Sequence, residues 1–84
     1  MREAQIITIQ LDENQTIFEL SHCLSRYKSE VFVKKRVGGA LYDVNLKSVL
    51  GLINLQLKND DVVTVYAIGH DSREAVEAAV DFLS

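Results

Sequence analysis

Few side chains in this 84-residue sequence could carry chemistry, because it holds only two histidines and one cysteine. His22 and Cys23 are neighbours in a segment that we predict to be helical, so their side chains diverge by about 100° and cannot chelate one metal ion together. His70 follows a glycine in a predicted loop, and no nucleophile has a base partner at motif spacing. We therefore expect no metal, no cofactor and no enzymatic activity.

Ser48 is the polar side chain whose structural role the sequence predicts most directly. It precedes the apolar segment Val49-Leu50-Gly51-Leu52-Ile53, so we predict that its hydroxyl is the N-cap of a short helix, worth about 1 kcal/mol. Val49, Leu50 and Ile53 could form a small apolar patch beside it, since side chains at such spacings share a helix face. Part of this set must belong to the core.

Composition describes one small globular domain over residues 1–84, with 48% hydrophobic and 25% charged residues. A chain this short buries only about 60 to 65% of its unfolded surface, so most apolar side chains must serve the core. The net charge of −3 argues against nucleic acid as the main ligand. Residues 24–47 nevertheless hold six basic and two acidic residues, which is typical of a solvated hairpin face or, alternatively, of a site for an anionic partner.

The cellular compartment is indicated by cysteine usage and by the N-terminus. Cys23 has no second cysteine with which to form an internal disulfide, and Met1-Arg2-Glu3 becomes charged before any apolar run. No apolar stretch approaches the roughly 20 residues that cross a bilayer. We expect a cytoplasmic protein that does not insert into a membrane.

The first half of the sequence predicts a strand followed by a helix. Apolar and polar residues alternate between Ala4 and Leu11, as in a strand with one buried face. Thr16 and Glu19 form a capping box that opens a helix, with Asn14 as the competing cap. The helix should have about three turns, since an apolar stripe continues through Ile17, Leu20, Leu24 and Tyr27.

The remaining sequence predicts three more strands and two helices. Strands are indicated over 30–37, 40–44 and 62–68, and Gly38-Gly39 should supply the positive φ angles of a tight hairpin. Asp71 and Glu74 form a second capping box before an apolar stripe of Ala75, Val76, Ala79, Val80 and Leu83. The order β-α-β-β-α-β-α predicts an α+β open-faced sandwich, a four-stranded antiparallel sheet covered on one face by helices.

This element order and three motifs resemble the histidine-containing phosphocarrier (HPr) family over nearly the whole chain. The motifs are Lys47-Ser48-Val49-Leu50-Gly51-Leu52, Val63-Thr64-Val65 and Gly69-His70-Asp71. The resemblance implies a phosphoryl-accepting histidine between the first strand and first helix, in a motif of the type Gly-Leu-His-x-Arg-Pro. The corresponding loop is Asp12-Glu13-Asn14-Gln15-Thr16, which holds no histidine, arginine, proline or glycine.

That degenerate loop argues against phosphoryl transfer. Asp12 and Glu13 would repel an incoming phosphoryl donor, and the arginine that offsets phosphate charge is missing. His22 is the substitute to weigh, but its position roughly two turns into the predicted helix places it away from the N-terminal amides that hold phosphate. We expect a regulatory homologue, with an active phosphocarrier that uses an unrecognised acceptor, or a purely structural or oligomeric module, as the alternatives.

The resemblance also implies a role for Ser48, because the serine at this place in the family is phosphorylated by a dedicated kinase. A phosphate there would lie at the positive end of the helix dipole, beside Lys47. The same helix docks onto partner proteins in the family, so Lys47, Val49, Leu50 and Ile53 are candidate contacts. The expected partners are a serine kinase and a transcriptional or metabolic regulator.

Overall fold

The fold follows the predicted order of elements. The computed structural model describes residues 1–12, 15–55 and 57–84. Its strands are β1 Arg2–Thr8, β2 Glu30–Val37, β3 Ala40–Asn45 and β4 Val62–Ile68, and its helices are α1 Ile17–Leu24, α2 Val49–Leu55 and α3 Ser72–Leu83. Among the described helices, none is both long and apolar enough to cross a bilayer.

The four strands form one antiparallel sheet in the order β1-β4-β2-β3. β4 and β2 are the central pair, while β1 and β3 are the edges. α3 packs across β1, β4 and β2, α2 packs against β3, and α1 contacts both other helices. This is the predicted open-faced sandwich, and the fold class is confirmed.

Alternation along the strands decides which face is buried, because successive side chains point to opposite sides of a sheet. The covered face contributes six buried residues to the core: Ile7, Val31, Val33, Val63, Val65 and Ala67. The helices contribute seven more: Leu20, Leu24, Leu55, Ala75, Val76, Ala79 and Leu83. One apolar layer between sheet and helices therefore holds the fold together, through roughly 25 cal/mol for each Å² of apolar surface removed from water.

Two predicted boundaries were wrong. β1 begins at Arg2 and ends at Thr8, rather than running from Ala4 to Leu11. The amides beyond it bond elsewhere, Ile9 to the Asp61 carbonyl and Gln10 to the Leu83 carbonyl. α1 has eight residues and ends at Leu24, because both the backbone amide and the hydroxyl of Ser25 donate to the His22 carbonyl.

The hairpin between β2 and β3 also differs from the prediction. Gly38 has a φ of 58°, but Gly39 has no positive φ. A single left-handed residue at the first central position is the requirement of a type II′ turn, whereas type I′ needs two. Only Gly38 therefore depends on the conformational freedom of glycine here.

Asp71 is the N-cap residue of α3, but the predicted capping box was wrong, because its side chain makes no cap hydrogen bond. The carboxylate instead accepts from the backbone amides of Lys28, at 2.9 Å, and Ser29, at 2.8 Å, and from the Ser29 hydroxyl. Ser29 is buried, and Gly69, with a φ of 146°, lies so close that an added Cβ would be 2.8 Å from the Ser29 Cα. The carboxylate thus fastens the loop before β2 to the start of α3.

These hydrogen bonds make the stability of the protein depend on pH. The Ser29 hydroxyl and then the Lys28 amide are the main causes that lower the pKa of Asp71 from 3.8 to about 2. Since the unfolded chain binds this proton more readily, the stabilising contribution is complete above the unfolded pKa and is lost as pH falls through the folded one.

We therefore predict that the free energy of unfolding, measured by urea denaturation, decreases between about pH 4 and pH 2 less steeply in Asp71→Asn than in the unmodified protein. The matched control is Asp81→Asn, a change at an exposed position of α3, which should leave the slope unchanged. Equal slopes for the unmodified protein and Asp71→Asn would show that this carboxylate does not govern acid unfolding.

Candidate functional site

Ser48 lies exposed in the connection between β3 and α2. Its hydroxyl accepts a hydrogen bond from the Gly51 amide at 3.3 Å, and its own amide donates to the Asn45 carbonyl at 3.0 Å. The first bond is the N-cap predicted from the sequence. Cap and exposure together leave the hydroxyl at the protein surface, where a modifying enzyme could reach it.

Lys47 fastens this connection to α1. Its ammonium donates to the Tyr27 carbonyl at 2.6 Å, just beyond the end of α1, and its carbonyl accepts from the Ser21 hydroxyl at 3.2 Å. Its amide donates to the Asn45 side chain at 2.8 Å. Lys47 is thus a positioning residue, and its ammonium would have to leave the Tyr27 carbonyl to reach a phosphate on Ser48.

Two of the predicted contact residues on α2 are exposed apolar side chains. Leu50 is 76% exposed and Ile53 is 48% exposed, so neither belongs to the core. Phe18 of α1, which the sequence reasoning missed, is 63% exposed on a helix that packs against α2. We call Phe18, Leu50 and Ile53 the helical patch. Val49 begins α2, but its side chain lies outside the described part of the structure.

Phe18 could have been found from its position relative to the α1 stripe. The buried residues of α1 are Leu20 and Leu24, four residues apart on one side of the helix. Phe18 lies two residues before Leu20, which turns it away from that side by about 200°. An exposed aromatic residue on a helix marks a contact surface only when other exposed apolar residues accompany it, as Leu50 and Ile53 do on the helix that contacts α1.

The loop before α1 is held by its own polar side chains. The Gln15 side chain accepts from the Asp12 amide at 2.8 Å and donates to the Phe82 carbonyl at 3.4 Å. Thr16, rather than Asn14, is the N-cap, and its hydroxyl accepts from the Glu19 amide at 3.2 Å. Glu13 and Asn14 lie outside the described residues.

The two histidines lie on different elements. His22 is exposed in the last turn of α1, next to the partly buried Cys23, and His70 is exposed in the turn before α3. The part of the chain that the structure describes contains no cluster of three His, Cys, Asp or Glu residues able to hold a metal ion.

The basic residues between positions 24 and 47 do not form one patch. Arg26 stacks on Tyr27, with 5.8 Å between the guanidinium carbon and the ring centroid, and Lys47 bonds to the end of α1. Lys35 forms an ion pair with Asp61 at 2.7 Å, while Lys34 projects on the opposite side of β2. The fold thus distributes the cationic run over several surfaces.

Comparison with protein families decides the family. Residues 6–84 match the family described as the PTS HPr component phosphorylation site. The chain belongs to the HPr family. One relative is the HPr-like protein Crh of Halalkalibacterium halodurans, 36% identical over 59 residues, which are 70% of this chain and 66% of that protein. The alignment thus spans slightly less than two thirds of the relative's length.

Solved structures of HPr proteins share the fold. The phosphocarrier protein HPr of Bacillus anthracis superposes with a TM-score of 0.84 at 22% identity, covering 99% of this chain and 98% of that one. HPr-C-His of Thermoanaerobacter tengcongensis gives 0.80 at 25% identity, covering 96% and 90%. An HPr dimer from the same organism gives 0.68 at 28% identity, covering 89% and 87%.

In this HPr-family chain, the position of α2 depends on the absence of a side chain at Gly51. A Cβ built at Gly51 would lie 2.6 Å from Cγ1 of Val44 in β3, a contact closer than packed carbon atoms allow. Valine is stiff at χ1, so it cannot rotate away cheaply. Gly51 therefore sets how closely α2, which bears Leu50 and Ile53, approaches the sheet.

We predict that Gly51→Ala destabilises the protein by about 1–3 kcal/mol, although the same change in an open helix would stabilise it by up to about 1 kcal/mol. The comparison is Gly39→Ala, where an added Cβ would meet nothing within 4 Å and φ is not positive. Urea denaturation measures both. A Gly51→Ala protein at least as stable as the unmodified one would show that the contact does not limit the approach of α2.

Proposed function

We propose that this HPr-family protein is a regulatory, protein-binding homologue of the sugar phosphotransferase system phosphocarrier that does not itself transfer a phosphoryl group. The observation that carries the proposal is the pairing of an exposed, capping Ser48 with the exposed apolar side chains of Leu50 and Ile53 on the same short helix. A modifiable hydroxyl beside an apolar contact surface provides a switch, because a phosphate there changes the charge that a partner meets.

The helical patch supports protein binding. Its three members are large apolar side chains exposed on two helices that contact each other. Grouped exposed apolar residues mark interaction sites, whereas single ones are ordinary. A partner, such as a transcriptional or metabolic regulator, would bury Phe18, Leu50 and Ile53 and would lie close to Ser48.

The capping geometry supports phosphorylation of Ser48. Its hydroxyl already accepts a hydrogen bond from the Gly51 amide, so the backbone N–H groups at the start of α2 could also donate to phosphate oxygens. The change would be electrostatic and local, since the cap position and the Lys47 contacts to α1 exist before modification. Regulation would then act on the partner's affinity rather than on the fold.

Loss of phosphoryl transfer is supported by the loop before α1. Its sequence has no histidine, and Asp12 and Glu13 bring two carboxylates to the place where phosphoryl donors would approach. Gln15 occupies its hydrogen-bonding groups with Asp12 and Phe82. The described part of the loop thus has polar groups bonded to the protein itself rather than presented to a phosphate.

We predict that a serine kinase of the type that acts on HPr proteins labels the unmodified chain and that Ser48→Ala abolishes labelling, at a cost of about 1 kcal/mol in stability from the lost cap. Ser84→Ala, which removes a hydroxyl at the end of α3, should leave labelling unchanged. Mass spectrometry of the labelled chain identifies the site. An active kinase that leaves Ser48 unmodified would reduce this residue to a helix cap and would favour a purely structural or oligomeric module.

We predict that the general phosphoryl donor of the phosphotransferase system does not label this protein with acid-labile phosphate, because the loop lacks an acceptor and repels the donor. A histidine-containing HPr serves as the positive control in the same reaction. Acid-labile labelling of this chain would instead support an active phosphocarrier. His22→Asn and His70→Asn would then show which of its two histidines accepts the group.

A further inference from the structure

We infer that the uncovered face of the sheet binds an acidic amphipathic helix of a partner protein. This surface lies on the side of the sheet opposite the helices, so it is separate from the helical patch and from Ser48. It comprises the alternate residues of the strands, beginning with Arg2, Ala4, Ile6 and Thr8 on β1.

Three exposed apolar side chains lie at one end of this face, and Ile68, 48% exposed, lies at the other. Ile6 of β1 is 71% exposed, Val62 of β4 is 64% exposed, and Leu41 of β3 is 57% exposed. Ile6 and Val62 are diagonal neighbours on adjacent strands, because Ile6 pairs with Thr64 and Thr8 with Val62. Three large apolar residues across one end of a sheet form a contact surface, whereas isolated ones would need no explanation.

Two cations lie between these apolar residues. Lys34 and Arg36 are two residues apart on β2, so both project from the uncovered face, and Arg36 pairs across strands with Leu41. Arg36 is exposed and has no acidic partner among the described residues. Adjacent like charges repel each other, so a carboxylate placed between them would be attracted by both.

The acidic groups of this face offset only part of its positive charge. Asp43 is the cross-strand partner of Lys34, and its carboxylate accepts a hydrogen bond from the Tyr66 hydroxyl at 2.6 Å. That bond leaves the carboxylate charged, so Asp43 offsets Lys34, whose ammonium lies 4.9 Å from the centroid of the Tyr66 ring. Glu30 pairs with Ile68, at the opposite end of the face. This end therefore has two cations and one carboxylate, and exposed Arg36 makes it attract negative charge although the protein as a whole has a net charge of −3.

The covered side of the sheet shows that an amphipathic helix can pack on these strands. α3 packs an apolar stripe of Ala75, Val76 and Ala79 against the strands and leaves acidic residues exposed. A partner helix of the same kind would place its apolar stripe on Ile6 and Val62 and its carboxylates beside Lys34 and Arg36. A helix suits this surface because residues at i and i+4 are about 5–6 Å apart, close to the spacing between strands.

The test titrates the isotope-labelled chain with a synthetic amphipathic helical peptide of Leu, Ala and Glu and follows backbone amide shifts by NMR. We expect the shifts to change at Ile6, Lys34, Arg36, Leu41 and Val62, and the affinity to fall as salt is added. Arg36→Glu should weaken binding about tenfold. Lys28→Glu makes the same charge change in an exposed loop and should alter affinity less than about twofold.

Two further measurements keep the test decisive. A peptide with Lys in place of Glu should not bind, and thermal melting of Arg36→Glu should match the unmodified protein; if that variant does not fold, Arg36→Gln replaces it. The inference is overturned by shifts confined to the helical patch, by equal binding of both peptides or by no binding. It is also overturned by binding only to phosphatidylglycerol vesicles, or by concentration-dependent shifts without peptide, which would indicate a second copy.

Discussion

Burial of one sheet face is the constraint on which the rest of this structure depends. The central strands β2 and β4 bring Val31, Val33, Val63 and Val65 into the layer beneath the helices, and all four are buried. A chain of 84 residues has enough apolar side chains for one such layer. The opposite face must then remain stable in water, which explains why a polar network rather than a second core lies there.

Tyr66 is the centre of that network. Only 7% of it is exposed although it projects from the uncovered face, because its ring stacks on Phe32 with 4.9 Å between centroids and lies under the cations of Arg2 and Lys34. Burial, and then the hydrogen bond to Asp43, raise the pKa of Tyr66 to about 12, so the hydroxyl stays a donor even at alkaline pH. The middle of the face is thereby closed, and its exposed apolar residues lie toward the two ends.

Much of this could be predicted from local patterns, because alternation and helical periodicity directly report which side of an element is buried. The strands over 30–37 and 62–68 and the Ser48 cap were confirmed on that basis. Asp71 shows what such patterns miss. Its spacing to Glu74 indicates a capping box, yet its carboxylate bonds to the amides of Lys28 and Ser29, which lie 43 and 42 positions earlier in the chain. The bond between the Lys47 ammonium and the Tyr27 carbonyl is a second long-range contact of this kind. Long-range partners of polar side chains depend on tertiary packing, which spacing does not encode.

These long-range bonds explain how a helix of seven residues can hold the proposed binding site in place. An isolated helix of that length would be unstable in water, so α2 depends on its surroundings. Lys47 ties its N-terminal connection to α1, and the absence of a side chain at Gly51 lets it approach β3. Because Lys47 and Gly51 hold α2 in place, Leu50 and Ile53 are not needed for the core and remain exposed. The apolar core and the polar anchors thus stabilise the fold, while the exposed side chains on both faces of the sandwich can serve binding without endangering it.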